Sequence, residues 1–80
     1  MPPLNRFKRF DVHDFIRRGV EPFPETRRRV DALKSDEGLI VVAPFLPSPL
    51  VEKLGGEGFA TKVERGRGTD WIVYFWREVV

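Results

Sequence analysis

Cysteine is absent from this 80-residue chain. No disulfide can staple it and no thiolate can act as nucleophile or sulfur carrier, so its stability rests on a packed core. Histidine is nearly absent as well, His13 being the single one. A closed metal site draws on about three or four ligands. Only scattered carboxylates accompany His13, so no metal and no other cofactor is expected. Long apolar runs are missing too: nothing approaches the roughly 18 apolar residues of a membrane span. No charged segment followed by an apolar stretch opens the chain as a leader would. These absences, with a cysteine-free composition that fits a reducing compartment, point to a soluble cytoplasmic domain with no membrane partner. Net charge is only +2, too little to argue for nucleic acid by itself.

What the chain does have is apolar mass and aromatic rings. Hydrophobic residues make up 41%, among them seven Phe, two Trp and one Tyr. Enclosed rings bury roughly 150 to 250 Å² each, enough for one small core, and the length allows one domain, residues 1–80. Residues 1–6, with Pro2 and Pro3, read as an unstructured lead-in. Charge is unevenly spread: residues 1–34 carry nine Lys/Arg against five Asp/Glu, whereas residues 35–80 carry five against seven. The basic first part is either a solvated helix face or a patch for an acidic partner.

Periodicity assigns the elements in order. Phe7 to Val12 reads as a first strand, with Phe10 and Val12 on one face, and Arg17-Arg18-Gly19 reads as a loop. The first helix follows, with Pro22 and Pro24 in its opening turn, where a missing N–H costs nothing. Its apolar stripe is Phe23, Thr26 or Arg27, Val30 and Leu33, while Arg27, Arg28 and Arg29 turn mostly to solvent. Leu39 to Ala43 is an unbroken apolar run expected of a central strand. Three prolines in 44–49 then force the chain out of the ladder. A short second helix carries Leu50, Val51 and Leu54 and ends at Gly55-Gly56. Phe59 to Arg65 alternates as a strand, Gly66 to Thr69 is a turn, and Asp70 to Arg77 is a last strand apolar on both faces.

Strand, helix, strand, helix, strand, strand defines an α+β class: a two-layer α/β sandwich, β-α-β-α-β-β. The crossover makes the first two strands parallel and the tight turn makes the last two antiparallel. The mixed four-stranded sheet carries both helices on one face. Its other face is left open, and exposed aromatics there would form a dimer or ligand surface.

Chemistry-bearing residues are few. His13 follows the first strand beside Asp14, and a surface or turn role suits it, since nothing announces a nucleophile or substrate pocket. Glu21 is suited to the positive end of the first helix, as a cap. The alternative is a small-anion site between that N-terminus and Arg17 and Arg18. The loops 11–24 and 44–49 lie at the carboxyl ends of the parallel strands, the usual place for ligands on such sheets. His13, Arg17, Arg18, Glu21, Phe45 and Pro47 are therefore the expected contact residues for a ligand or protein partner. Single-stranded nucleic-acid binding through Arg17, Arg18 and Arg27 to Arg29 is the alternative, and a degenerate transfer enzyme is a third. No catalytic residue is assigned.

Asp11-Val12, Gly19-Val20-Glu21-Pro22, Asp36-Glu37-Gly38-Leu39 and the apolar strand that follows resemble the TusA/SirA/YedF family of small sulfur-carrier and regulatory proteins. The chain is most similar to an uncharacterised cysteine-less branch of it, through Glu21-Pro22-Phe23, Ala43-Pro44-Phe45-Leu46-Pro47-Ser48-Pro49-Leu50, Gly58-Phe59 and the terminal stretch from Asp70-Trp71 to Phe75. The resemblance spans about Phe10 to Arg77. It implies the sandwich fold, and a Cys-Pro-x-Pro turn at the opening of the first helix, in which Gly19 is matched to the cysteine and Pro22 to the second proline. Persulfide transfer is then excluded. A non-catalytic interaction module in a redox or sulfur-related setting is implied, with a hemerythrin-like or other redox protein as partner.

Overall fold

A computed structural model describes residues 1–77. Leu4–Arg6 makes a single 3-10 turn before β1 (Phe7–Asp11). Then come α1 (His13–Arg17), α2 (Phe23–Asp31), β2 (Gly38–Ala43), α3 (Ser48–Gly56), β3 (Phe59–Arg65) and β4 (Trp71–Arg77). The sheet order is β1-β2-β4-β3, with β1 parallel to β2 and both other pairings antiparallel. This is the mixed four-stranded sheet of an α+β, two-layer sandwich, and β4 lies inside it, as its two apolar faces require.

Directly paired residues project to the same face of a sheet, so the register sorts the side chains. One row runs Phe10, Val41, Val73, Val63; a second row on the same face runs Leu39, Phe75, Thr61. On that face lies the core, where Phe10, Val12, Leu39, Val41, Ala43, Phe59, Val73 and Phe75 pack with Val30 and Leu33 from the α2 segment and with Leu50 and Leu54 of α3. Both longer helices therefore cover the same face. The opposite face carries Phe7, Ile40, Ile72, Tyr74 and Trp76.

Two local outcomes differ from the sequence expectation. Residues 13–17 form a helix where a loop was expected, because the Asp11 carboxylate accepts the His13 N–H at 2.9 Å and the Val12 carbonyl accepts the Ile16 N–H at 3.1 Å. That turn ends at Gly19, which takes φ +70°. The Gly19 N–H reaches the Ile16 carbonyl at 3.0 Å and the Val20 N–H reaches the Phe15 carbonyl at 2.8 Å, the paired bonds of a left-handed C-terminal cap. Gly19 thus closes α1 and stands outside α2. In α3, Gly55 and Gly56 belong to the last helical turn, and the left-handed position is Gly58, at φ +94°.

Candidate functional site

At the carboxyl ends of β1 and β2 the first turns of α2 and α3 stand apart, leaving a groove of about 150 Å³. Its floor is Val12, Val41 and Ala43; one wall is Glu21, Pro22, Phe23 and Thr26; the other is Phe45, Pro47, Pro49 and Leu50. Proline placement explains its character. Two helix N-termini flank the groove and would ordinarily present free N–H donors. Pro22 and Pro24 sit at the start of α2, and Pro47 and Pro49 at the start of α3, and none has an N–H to present. Of the first-turn donors that remain, two are engaged: the Glu21 carboxylate accepts the Phe23 N–H at 3.1 Å, and the Leu46 carbonyl accepts the Ser48 N–H at 2.8 Å. Thr26 is buried and spends its hydroxyl on the Pro22 carbonyl, 2.9 Å away. The groove is accordingly apolar, with Glu21 as its charged member, which suits it poorly to an anion.

Across the same end of the sheet His13 lies between two carboxylates. Its Nδ1 is 2.5 Å from Asp11 Oδ1, and its Nε2 is 2.9 Å from Asp70 Oδ1. Only the imidazolium donates from both nitrogens. The hydrogen bond that the His13 ring donates to Asp11 is the main cause of a His13 pKa raised above the ordinary value, with desolvation opposing and Asp70 adding to it. The Asp11 carboxyl is lowered, first by the His13 backbone N–H and then by the ring. This arrangement ties the β1–α1 corner to the turn before β4. As the imidazolium that donates to both carboxylates, His13 has no lone pair for a substrate proton.

The arginines are locally compensated. Arg18 reaches Asp14 at 3.1 Å and Arg17 reaches it at 3.9 Å. Arg27 pairs with Asp31 and Glu57 at 2.9 and 2.6 Å. Arg28 and Arg29 share Glu25, whose carboxyl they hold down to about 2. Arg29 also lies over the Phe10 ring, 4.3 Å from its centre. The run of three arginines is therefore laced to carboxylates on and beside its own helix and is not an uncompensated stripe.

Of the six residues expected from sequence, Glu21, Phe45 and Pro47 meet in the groove. His13 belongs to the carboxylate cluster, and Arg17 and Arg18 stay with Asp14. Sequence reading missed Val12, Pro22, Phe23, Thr26, Val41, Ala43, Pro49 and Leu50 as groove residues because, Thr26 apart, they read as core or as helix-opening residues. Asp70 was missed as well; it sits 57 positions from His13, and no spacing rule connects the two. Among the described residues no group of three or more His, Cys, Asp or Glu is arranged to hold a metal ion, and no helix is long and apolar enough to cross a membrane.

Fold and groove together define a small α+β domain: an open mixed sheet whose apolar cleft lies at the mouth of a parallel strand pair. Residues 9–77 match the model of the family described as uncharacterized conserved protein (DUF2249), and the chain belongs to that family. No curated protein and no solved structure matches the chain.

Proposed function

We propose that this domain is a non-catalytic binding module that engages a protein partner or small ligand through the groove between α2 and α3. The convergence of Glu21, Phe45 and Pro47 on one apolar cleft carries the reading, because ligands of open α/β sheets bind outside the carboxyl ends of parallel strands. A catalytic role draws little support, since the lone histidine is doubly engaged and the chain has no cysteine. Nucleic-acid binding draws less support than the groove because the arginines it would need are already paired with carboxylates.

The resemblance to the TusA/SirA/YedF family supplies the setting: a redox or sulfur-related one, in the cytoplasm, with a hemerythrin-like or other redox protein as partner. It also takes a sharper form on the folded chain. A Cys-Pro-x-Pro turn opens a helix, and α2 opens at Phe23. Glu21-Pro22-Phe23-Pro24 has prolines at the second and fourth places, whereas Gly19 ends the preceding helix. Glu21, and not Gly19, thus occupies the thiol's place in this reading. A carboxylate there accepts a helix N–H but holds no transferable sulfur.

Benzene titrated into the 15N-labelled protein tests the groove. Amide shifts are expected at Val12, Thr26, Val41 and Ala43 and are expected to vanish in Ala43→Leu, whose side chain fills the cleft. Shifts elsewhere, or shifts indifferent to Ala43→Leu, would end this reading.

A further inference from the structure

Size and charge together narrow what the groove takes. We infer that its occupant is a single apolar side chain, of leucine to phenylalanine size, presented by a protein partner with a Lys or Arg beside it. This rests on the groove being the binding site and says what kind of segment fills it.

Volume is the first argument. Pockets for cofactors and drug-sized ligands run to about 300–1,000 Å³, and this cleft is about 150 Å³. An apolar cavity of about 150 Å³ lined by aliphatic and aromatic side chains accommodates benzene, which is the bulk of one phenylalanine ring. A cofactor or drug-sized ligand would project well beyond it.

Lining is the second argument. Small-molecule sites orient their ligands with a few convergent polar groups. Here the helix mouths offer prolines, and the Phe23 and Ser48 N–H groups are already bonded. Groups that could orient a heterocycle are few in this mostly apolar lining, whereas a side chain is oriented by the backbone that carries it. At the cleft, Phe45 is 50% exposed. A large apolar residue held out in water at the rim of a side-chain-sized pocket suits the water-excluding collar of an interface anchor.

Charge is the third argument. Among the described residues Glu21 is the one charged side chain lining the cleft. Its position is fixed by the bond from the Phe23 N–H, and its carboxylate is exposed at the rim. The nearest basic residues along the chain, Arg17 and Arg18, are directed to Asp14. A cation flanking the anchor gains Glu21 as a partner, whereas an acidic flank meets a like charge.

Three acetylated and amidated peptides test this by NMR titration at low ionic strength, with Lys-Phe-Lys, Glu-Phe-Glu or Lys-Ala-Lys between glycines. Lys-Phe-Lys is expected to shift the groove amides and to bind about fivefold more tightly than Glu-Phe-Glu, the scale of one exposed ion pair replaced by a repulsion. Lys-Ala-Lys is expected to leave those amides unmoved. Glu21→Gln, a surface change that leaves the core intact, should bring the two Phe peptides to equal affinity; Phe45→Ala should weaken both. Equal binding of both Phe peptides to the wild type, or tighter binding of Glu-Phe-Glu, overturns the inference while leaving the groove as a site. Failure of both Phe peptides where benzene still binds also overturns it. If benzene fails as well, the groove reading falls with it.

Discussion

On one face of the sheet Leu39, Val41, Val73 and Phe75 lie beneath two helices; on the other, among the described residues, Phe7, Ile40, Tyr74 and Trp76 have no helix above them. The uncovered face is nevertheless partly closed by its own rings. Phe7 meets Tyr74 and Trp76 edge-on, with ring centres 5.6 and 6.3 Å apart, and lies over Gly38 so closely that a Cβ there would collide with its ring. The Tyr74 hydroxyl donates to Glu64 at 2.9 Å and the Lys62 ammonium lies 5.6 Å from the Tyr74 ring centre. These rings are partly buried by one another. The covered face has an inaccessible centre yet leaves unfilled apolar volume at one end, where prolines set the opening turns of α2 and α3. Apolar exposure alone is therefore a poor guide to a site; a gap that the protein's own side chains do not close is a better one.

The largest expected effect breaks the covered face. Val41 is 1% exposed in the central strand, and an unpaired charge there costs several kcal/mol, on the order of the whole stability of a small domain. Val41→Asp should lose its cooperative melt and its amide dispersion; a preserved melt would remove Val41 from the core. Next comes the open face. Gly38→Ala forces Phe7 off its seat and should cost about 1–3 kcal/mol, as overpacking does. Phe45→Ala, at the groove rim, should change stability by less than about 0.5 kcal/mol. Thermal melts that reversed this order would make the open face the adaptable one.

A smaller effect concerns the corner beside the groove. His13 has a raised folded-state pKa, so its contribution is complete below the ordinary value of 6.5 and is lost as pH rises through the folded value. Asp11 is lowered, so its contribution is present above the ordinary 3.8 and is lost as pH falls through the folded value. The corner should be tightest between those limits. In His13→Gln the decline of melting temperature above neutrality should flatten. An unchanged slope would mean that the contacts to Asp11 and Asp70 carry no net stability.

Much of the architecture was legible because the sequence pattern and the final packing obey the same periods. The apolar run 39–43 became a central strand, and the 59–65 alternation and the 66–69 turn appear where expected. Gly19 and α1 were less legible. A five-residue helix buries little and is decided by the Asp11 cap and the left-handed glycine, which act over two or three residues and leave no periodic trace. Most of the groove also escaped the sequence. Phe45 and Pro47 could be placed on a loop beside Glu21, but whether the valines and alanine beneath them were covered depends on how far apart two helix mouths stand. The pairs of the arginine run with Glu25 and Asp31 follow helical i,i+3 and i,i+4 spacing, but no spacing announces that Arg27 also reaches Glu57.

One binding comparison tests the account most directly. The Lys-Phe-Lys peptide is titrated into Ala43→Leu, which fills the groove, and into Ala60→Glu, which sets a charge beside Trp76 on the open face. Loss of binding in the first variant with wild-type affinity in the second is the expected result. Binding that survives Ala43→Leu and disappears in Ala60→Glu would move the site to the aromatic face and contradict the account.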